Sequence, residues 1–289
     1  MDVLLIPCFA RPELLHETLR NLVATGDLST VHVVFKPDRG YHPDIHKVIA
    51  MFDLPSWEVK QARVSHYKMT KQSLNVLDGY VYAATLTDGL VFMVEEDVQV
   101  ATDFFRFNRE LFNQQPDLFA SISRTNTNRS VEVAEDPEAY YLSTGDYSSI
   151  GVAMKAQTIR EHIAPHLNER YLRDCITYCD QTFPDSGIPR GHAEQDGLIR
   201  RIQQTTGRPT AYPHVPRCFH AGWYGYNRWN KMHPAALKGT LEEKIAKVQA
   251  TIYDQERARL SAINPGWYAD SQPVNLNIRP WKTLKQSQP

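Results

Sequence analysis

Three short apolar runs in the first third of the chain do most to limit its fold. Val3 to Phe9, Val31 to Phe35 and Leu90 to Val94 are nearly continuous in apolar residues, the pattern of strands buried on both faces. Helical signals separate them. Pro12 can open a helix whose Leu14, Leu15, Leu19 and Leu22 share one face, and Gly26 can close it. Ile45 to Phe52 reads as a short helix and Trp57 to Ala62 as a strand. Leu74, Leu77, Val81 and Ala84 mark a longer helix. Thr102 can cap the helix after the third run, and Leu118 to Ser123 reads as another strand. This alternation predicts an α/β chain with a mostly parallel, doubly wound sheet and helices on both faces.

Such a sheet binds ligands at the carboxyl ends of its strands. Pro7-Cys8-Phe9-Ala10-Arg11, Lys36-Pro37-Asp38 and Glu95-Glu96-Asp97 all fall on that edge. The second half is less regular. Tyr140 to Ser143, Ile150 to Met154 and Thr210 to Val215 read as strands, and 156–163, 167–180 and 193–204 as helices. Leu241 to about Ala262 reads as a further helix before a Pro-rich tail. No linker divides the chain. The expectation is one domain over 1–235, with halves 1–125 and 126–235, and a helix and tail over 236–289 packed on it.

Bulk properties exclude some classes. With 289 residues, 42% hydrophobic and 22% charged, the chain can bury a core without staples. A formal charge of -1 gives no global field for nucleic acid or an anionic membrane. No run reaches the length of a membrane span. MDVLLIPCFARPE lacks the basic start of a signal peptide, so a cytoplasmic location is expected. The four cysteines contain no Cys-x-x-Cys pair and read as free thiols. No Gly-x-Gly-x-x-Gly or P-loop occurs, so dinucleotide and kinase-type sites lack support.

The three acids after Val94 are the chief chemical clue. Like charges repel, and carboxylates at a buried strand end are costly to desolvate unless something compensates. A hard cation, Mn2+ or Mg2+, does so and can bridge to phosphate oxygens. The competing reading is a solvated loop that caps the next helix.

With "LLIPCFARPELLHETLRNL", "VVFKPD" and "VEEDVQVATDFF" in view, the chain resembles nucleotide-sugar glycosyltransferases of the GT-A fold. It is most similar to the inverting β-1,2-N-acetylglucosaminyltransferases that act on α-mannosides. The likeness is looser through about residue 220 and gives nothing after about 235. It implies that Asp97 ligates the metal of a UDP-sugar diphosphate, with Glu95 and Glu96 near the ribose and base. It assigns Pro7, Arg11 and Asp38 to the donor. The chain departs from the family at Glu96, where Asp is usual.

In "GHAEQDGLIRRI" the resemblance places a general base at Asp196, with Glu194 as the alternative. Helix capping is the competing reading of both acids. The same resemblance puts a metal-ligating His at His220, with His214 and His192 as rivals.

The acceptor is open. Arg190, Arg200, Arg201, Arg208 and Arg217 outnumber Glu194 and Asp196 over 189–220, and Trp223, Tyr224 and Arg228 follow. Basic residues among aromatics suit nucleic acid, and the aromatics equally suit sugar rings. Phage-type DNA glycosyltransferases, acting on a 5-hydroxymethylpyrimidine such as hydroxymethylcytosine, are one model. A glycan, lipid-linked sugar or protein hydroxyl is the alternative. A non-catalytic nucleotide-sugar or DNA-binding module is a third reading.

Overall fold

The computed structural model describes residues 1–63, 69, 71–124, 139–222, 238–251 and 285–286. Chain order begins β1 (Asp2–Cys8), α1 (Pro12–Ala24), β2 (Val31–Pro37), α2 (Asp44–Ala50), β3 (Trp57–Val59), α3 (Lys71–Ala83) and β4 (Leu90–Met93). It continues with β5 (Val98–Val100), α4 (Phe104–Gln114), β6 (Ala120–Ile122), β7 (Ala139–Ser143), β8 (Val152–Lys155) and α5 (Ala156–Thr158). Then come α6 (Glu169–Arg173), α7 (Cys175–Thr182), α8 (Gln195–Thr206), β9 (Thr210–Pro213), β10 (Cys218–His220) and β11 (Lys285–Gln286).

Nine strands form one sheet in the order β11-β7-β9-β6-β8-β4-β1-β2-β3. The half from β4 to β3 is parallel throughout. β8 runs antiparallel between β4 and β6, and β7 antiparallel to β9. The expected α/β sheet with helices on both faces is therefore present, with antiparallel insertions.

Strand alternation divides the core into two layers. Val3, Leu5, Val91 and Met93 face the side covered by α3, α7 and α8. Leu4, Ile6, Phe92 and Val94 face the side covered by α1, α2 and α4. Phe92, Phe104 and Phe105 meet there with centroids 5.0 to 5.8 Å apart, a separation that favours edge-to-face contact. On α1, Leu14, Leu15, Leu19 and Leu22 are buried as the pattern predicts, and Gly26 follows at φ 74°. Thr18 and Asn21 are also buried, which hydrophobicity does not explain. They hold the loop beyond β4: Thr18 Oγ1 donates to Glu96 O, and Asn21 Oδ1 accepts from Val100 N–H.

Several boundaries differ from expectation. Asp103, not Thr102, is the N-cap of α4, without a side-chain cap bond. The helix expected over 167–180 breaks at Asp174, whose carboxylate caps α7 through Thr177 N–H. Residues 241–251 are helical and start with a capping box between Thr240 and Glu243. This segment buries Val248, and Gln249 Nε2 donates to Glu17 Oε1 of α1 at 2.8 Å.

Candidate active site

The carboxyl ends of β1 and β4 lie side by side, and the three acids follow β4 directly. Their side chains have different surroundings. Glu96 is turned inward: Oε2 accepts from Phe9 N–H at 2.6 Å and Oε1 from Arg11 Nε at 2.8 Å. Both oxygens are thus committed to the loop after β1, which leaves its expected contact with ribose or base unsupported. Arg11 Nη1 donates to Asp97 Oδ2 at 2.7 Å. Burial alone would lower the Arg11 pKa, but Asp97 and Glu96 raise it above its ordinary value.

Asp97 is 1% exposed, and its Oδ1 has no hydrogen-bond partner among the described residues. A buried carboxylate oxygen left in this way costs free energy unless a cation is bound there. Glu95 and His220 flank it: His220 Nε2 is 3.0 Å from Asp97 Oδ2. One ligand atom from each of Glu95, Asp97 and His220 lies within 4.8 Å of the others. Two carboxylates and an imidazole suit Mn2+, and the carboxylates also suit Mg2+. The donor set and the orphaned Oδ1 therefore fit a divalent ion. Burial first, then Asp97 and Asp196, raises the Glu95 carboxyl.

A two-stranded ribbon outside the main sheet builds this trio. β10 pairs antiparallel with β5, His220 opposite Val98, and Ala221 N–H donates to Asp97 O at 2.7 Å. Gly222 follows, and a Cβ there would overlap Asp97 Oδ2 and press on Arg11 Nη1 at 3.1 Å. Both strands of the ribbon have three residues, too few for a period-2 signal, so the sequence pattern did not reveal them.

Glu95 and His220 also line a cavity of about 500 Å³, shared with Glu194, Asp196, Tyr147, Ser149, Arg200 and Ser73 among others. Glu194 is the N-cap of α8, but its carboxylate makes no cap bond and accepts from Ser73 Oγ at 2.8 Å. Asp196 lies in the first turn and accepts from Ser149 Oγ at 3.3 Å. Its side chain is exposed to the cavity, and the protein crowded around it pushes its carboxyl up to about 6 while Ser149 opposes the rise. Ser73 and Ser149 carried no signal in the sequence.

The other expected residues are placed as follows. Pro7 lies in β1, and its carbonyl accepts from Glu96 N–H at 3.2 Å. Asp38 stands at the end of β2, one strand over, with Oδ1 on Arg39 N–H at 2.7 Å; it does not line the cavity. His192 lines the cavity and His214 does not. Trp223, Tyr224 and Arg228 lie outside the described residues.

The arginine excess over 189–220 proves to be mostly internal. Arg201 and Arg217 are at most 2% exposed. Arg208 donates to the carbonyls of Asp117 and Leu118, and Arg200 to that of Gly145. Arg190 pairs with Asp180 at 2.6 Å. Arg201, Arg208 and Arg217 thus serve the fold, whereas Arg190 is 73% exposed and Arg200 lines the cavity, which leaves two of the five within reach of a ligand.

No family profile and no curated protein matches the chain. Among solved structures it is similar to the mannosyltransferase PcManGT of Pyrobaculum calidifontis in complex with GDP-Man and Mn2+. That overlay has 12% identity and a TM-score of 0.45, over 94% of this chain and 76% of the other. It is also similar to S. aureus TarS in complex with UDP-GlcNAc, at 12% identity and TM-score 0.46, over 88% of this chain and 66% of the other. Mouse xyloside xylosyltransferase 1 overlays at 12% identity and TM-score 0.44, over 73% and 84%.

Proposed function

We propose that the chain is a metal-dependent glycosyltransferase, moving the sugar of a UDP-sugar onto an acceptor hydroxyl with inversion. One observation carries this reading: Glu95 and His220, which form the trio with the buried Asp97, line the same cavity as Asp196. A leaving-group site and a base site then lie on two walls of one space, as displacement at a sugar carbon requires.

Asp97 and His220, with Glu95, would hold Mn2+ or Mg2+. The bound ion supplies charge neutralisation for the diphosphate leaving group. Arg11, held by Glu96 and Asp97, sets a positive charge beside the trio for a phosphate. Asp38 accepts hydrogen bonds from the nucleoside. Asp196, ionised and supported by Ser149, takes the proton from the acceptor hydroxyl. Glu194, held by Ser73, is the alternative base.

For the acceptor, the hydroxymethylpyrimidine base in DNA rests chiefly on Trp223, Tyr224 and Arg228 and the basic and aromatic residues that follow them. A flipped base would have to enter the cavity to reach the base site. A glycan, lipid-linked sugar or protein hydroxyl would enter the same way.

The test is transfer from UDP-sugars and GDP-mannose, with and without Mn2+, onto hydroxymethylcytosine DNA, hydroxymethyluracil DNA and a glycan array. Asp97→Ala should lose metal-dependent donor binding. Asp196→Asn should keep donor binding and lose transfer by about 10²-fold or more, and the product anomer should be inverted. Full transfer by both variants would sink the assignment. Donor binding without turnover on any acceptor would favour a binding module.

A further inference from the structure

The stretch Val100-Ala101-Thr102-Asp103-Phe104-Phe105 follows the acids, and its own carboxylate has no part in the chemistry above. Asp103 is 1% exposed at the head of α4. Its Oδ2 lies 3.3 Å from Nε of Arg217, whose side chain is wholly buried, an ion-pair contact in which neither Asp103 oxygen makes a hydrogen bond with a described residue. The Arg217 guanidinium also covers the Phe107 ring at 4.8 Å and donates to Val215 O. Burial raises the Asp103 carboxyl, and Arg217 works against that rise. Burying two opposite charges seldom stabilises more than two apolar side chains of the same size would. Stability therefore does not account for the pair.

Arg217 enters β10: its N–H donates to Ser123 O at 2.6 Å, and its carbonyl accepts from Ala101 N–H at 2.9 Å. Three residues later stands His220. On the facing strand, the segment that starts at Asp97 ends at Asp103. The pair thus clamps one end of the ribbon whose other end carries Asp97 and His220. Beyond that clamp, Cys218/Val100, Phe219/Gln99 and His220/Val98 are the paired positions of the ribbon among the described residues. So short a ribbon is marginal alone, and a slip of one residue would turn His220 to the opposite face.

We propose that the Asp103–Arg217 pair is a positioning device for the metal centre, locking the β5/β10 register and so the spacing of Asp97 and His220. The inference rests on the metal reading of Glu95, Asp97 and His220.

The test uses the full chain and Mn2+ alone. Affinity is read by titration, and the imidazole nitrogen coupled to bound Mn2+ by pulsed EPR. Asp97→Ala and His220→Ala serve as references. The apolar double variant Asp103→Leu/Arg217→Met should keep its far-UV CD and a cooperative melt. It should bind Mn2+ about 10-fold more weakly, the low end of what losing a group hydrogen-bonded to a ligand costs, and lose the nitrogen coupling. Adding His220→Ala to it should then cost nothing further. Wild-type affinity and coupling in the folded double variant would overturn the proposal. If that variant does not fold, Arg217→Lys, which keeps the charge and loses the fork, decides in its place. About tenfold weaker Mn2+ binding by folded Arg217→Lys supports the proposal, and unchanged binding overturns it. If Asp97→Ala and His220→Ala both bind as wild type, the metal reading fails, and this inference fails with it.

Discussion

Asp196 is suited to base chemistry by its surroundings more than by its residue type. Although the residue is exposed to the cavity, the surrounding protein pushes its carboxyl up to about 6, while Ser149 donates to the ionised form and limits the rise. A base works best with a pKa near the working pH. The sign is fixed: a raised pKa means the proton is regained sooner on acidification, and the protonated acid cannot accept another. Transfer should therefore fall as the pH drops through about 6, not through about 4. Ser149→Ala removes a donor to the ionised form and should move the inflection upward, by as much as about one unit. A profile of kcat/KM against pH checks both. An inflection unchanged in Ser149→Ala would remove Asp196 from the role.

The loop before α8 depends on one buried cation. Arg201 donates to four carbonyls, those of His192, Gly197, Ile188 and Pro189, and so fixes 188–192 against the helix that presents Asp196. Arg201→Met fills the volume but leaves buried acceptors unpaired, each costing about 1–3 kcal/mol. A destabilisation of about 3–5 kcal/mol is expected by urea unfolding; a loss below about 1 kcal/mol would mean that the loop holds itself. The same residue shows where the sequence is legible and where it is not. Long apolar runs declared β1, β2 and β4, because a strand buried on both faces has a composition of its own. The strand-end acids were legible for the same reason, since they interrupt such a run. Arg201 and Arg217 were read as surface charge, because composition does not say which arginines turn inward. β5 and β10 are too short for any period, and their pairing joins residues over a hundred positions apart. Thr18 and Asn21 interrupt an apolar helix face for reasons visible only once the Glu96–Val100 segment lies against it.

On the scale of the whole molecule, the two expected halves share one sheet. β8, from the second half, lies between β4 and β6 of the first, and β9 lies between β6 and β7. Without β8, β4 and β6 each lose a neighbour, and without β6 so do β8 and β9. Met154 packs in one layer with Val91 and Met93, and Ala153 in the other with Phe92. Opening either half therefore exposes core belonging to both. Heat or urea should unfold the chain in one transition, with far-UV CD and tryptophan fluorescence coincident. A fragment ending at 125 should lack a cooperative melt, because β4 and β6 would each lose β8 and the cavity would lose its Asp196 wall. Two separated transitions, or a folded 1–125 fragment, would show that the halves are independent. The metal trio would then have to assemble between them, since Glu95 and Asp97 come from one half and His220 from the other.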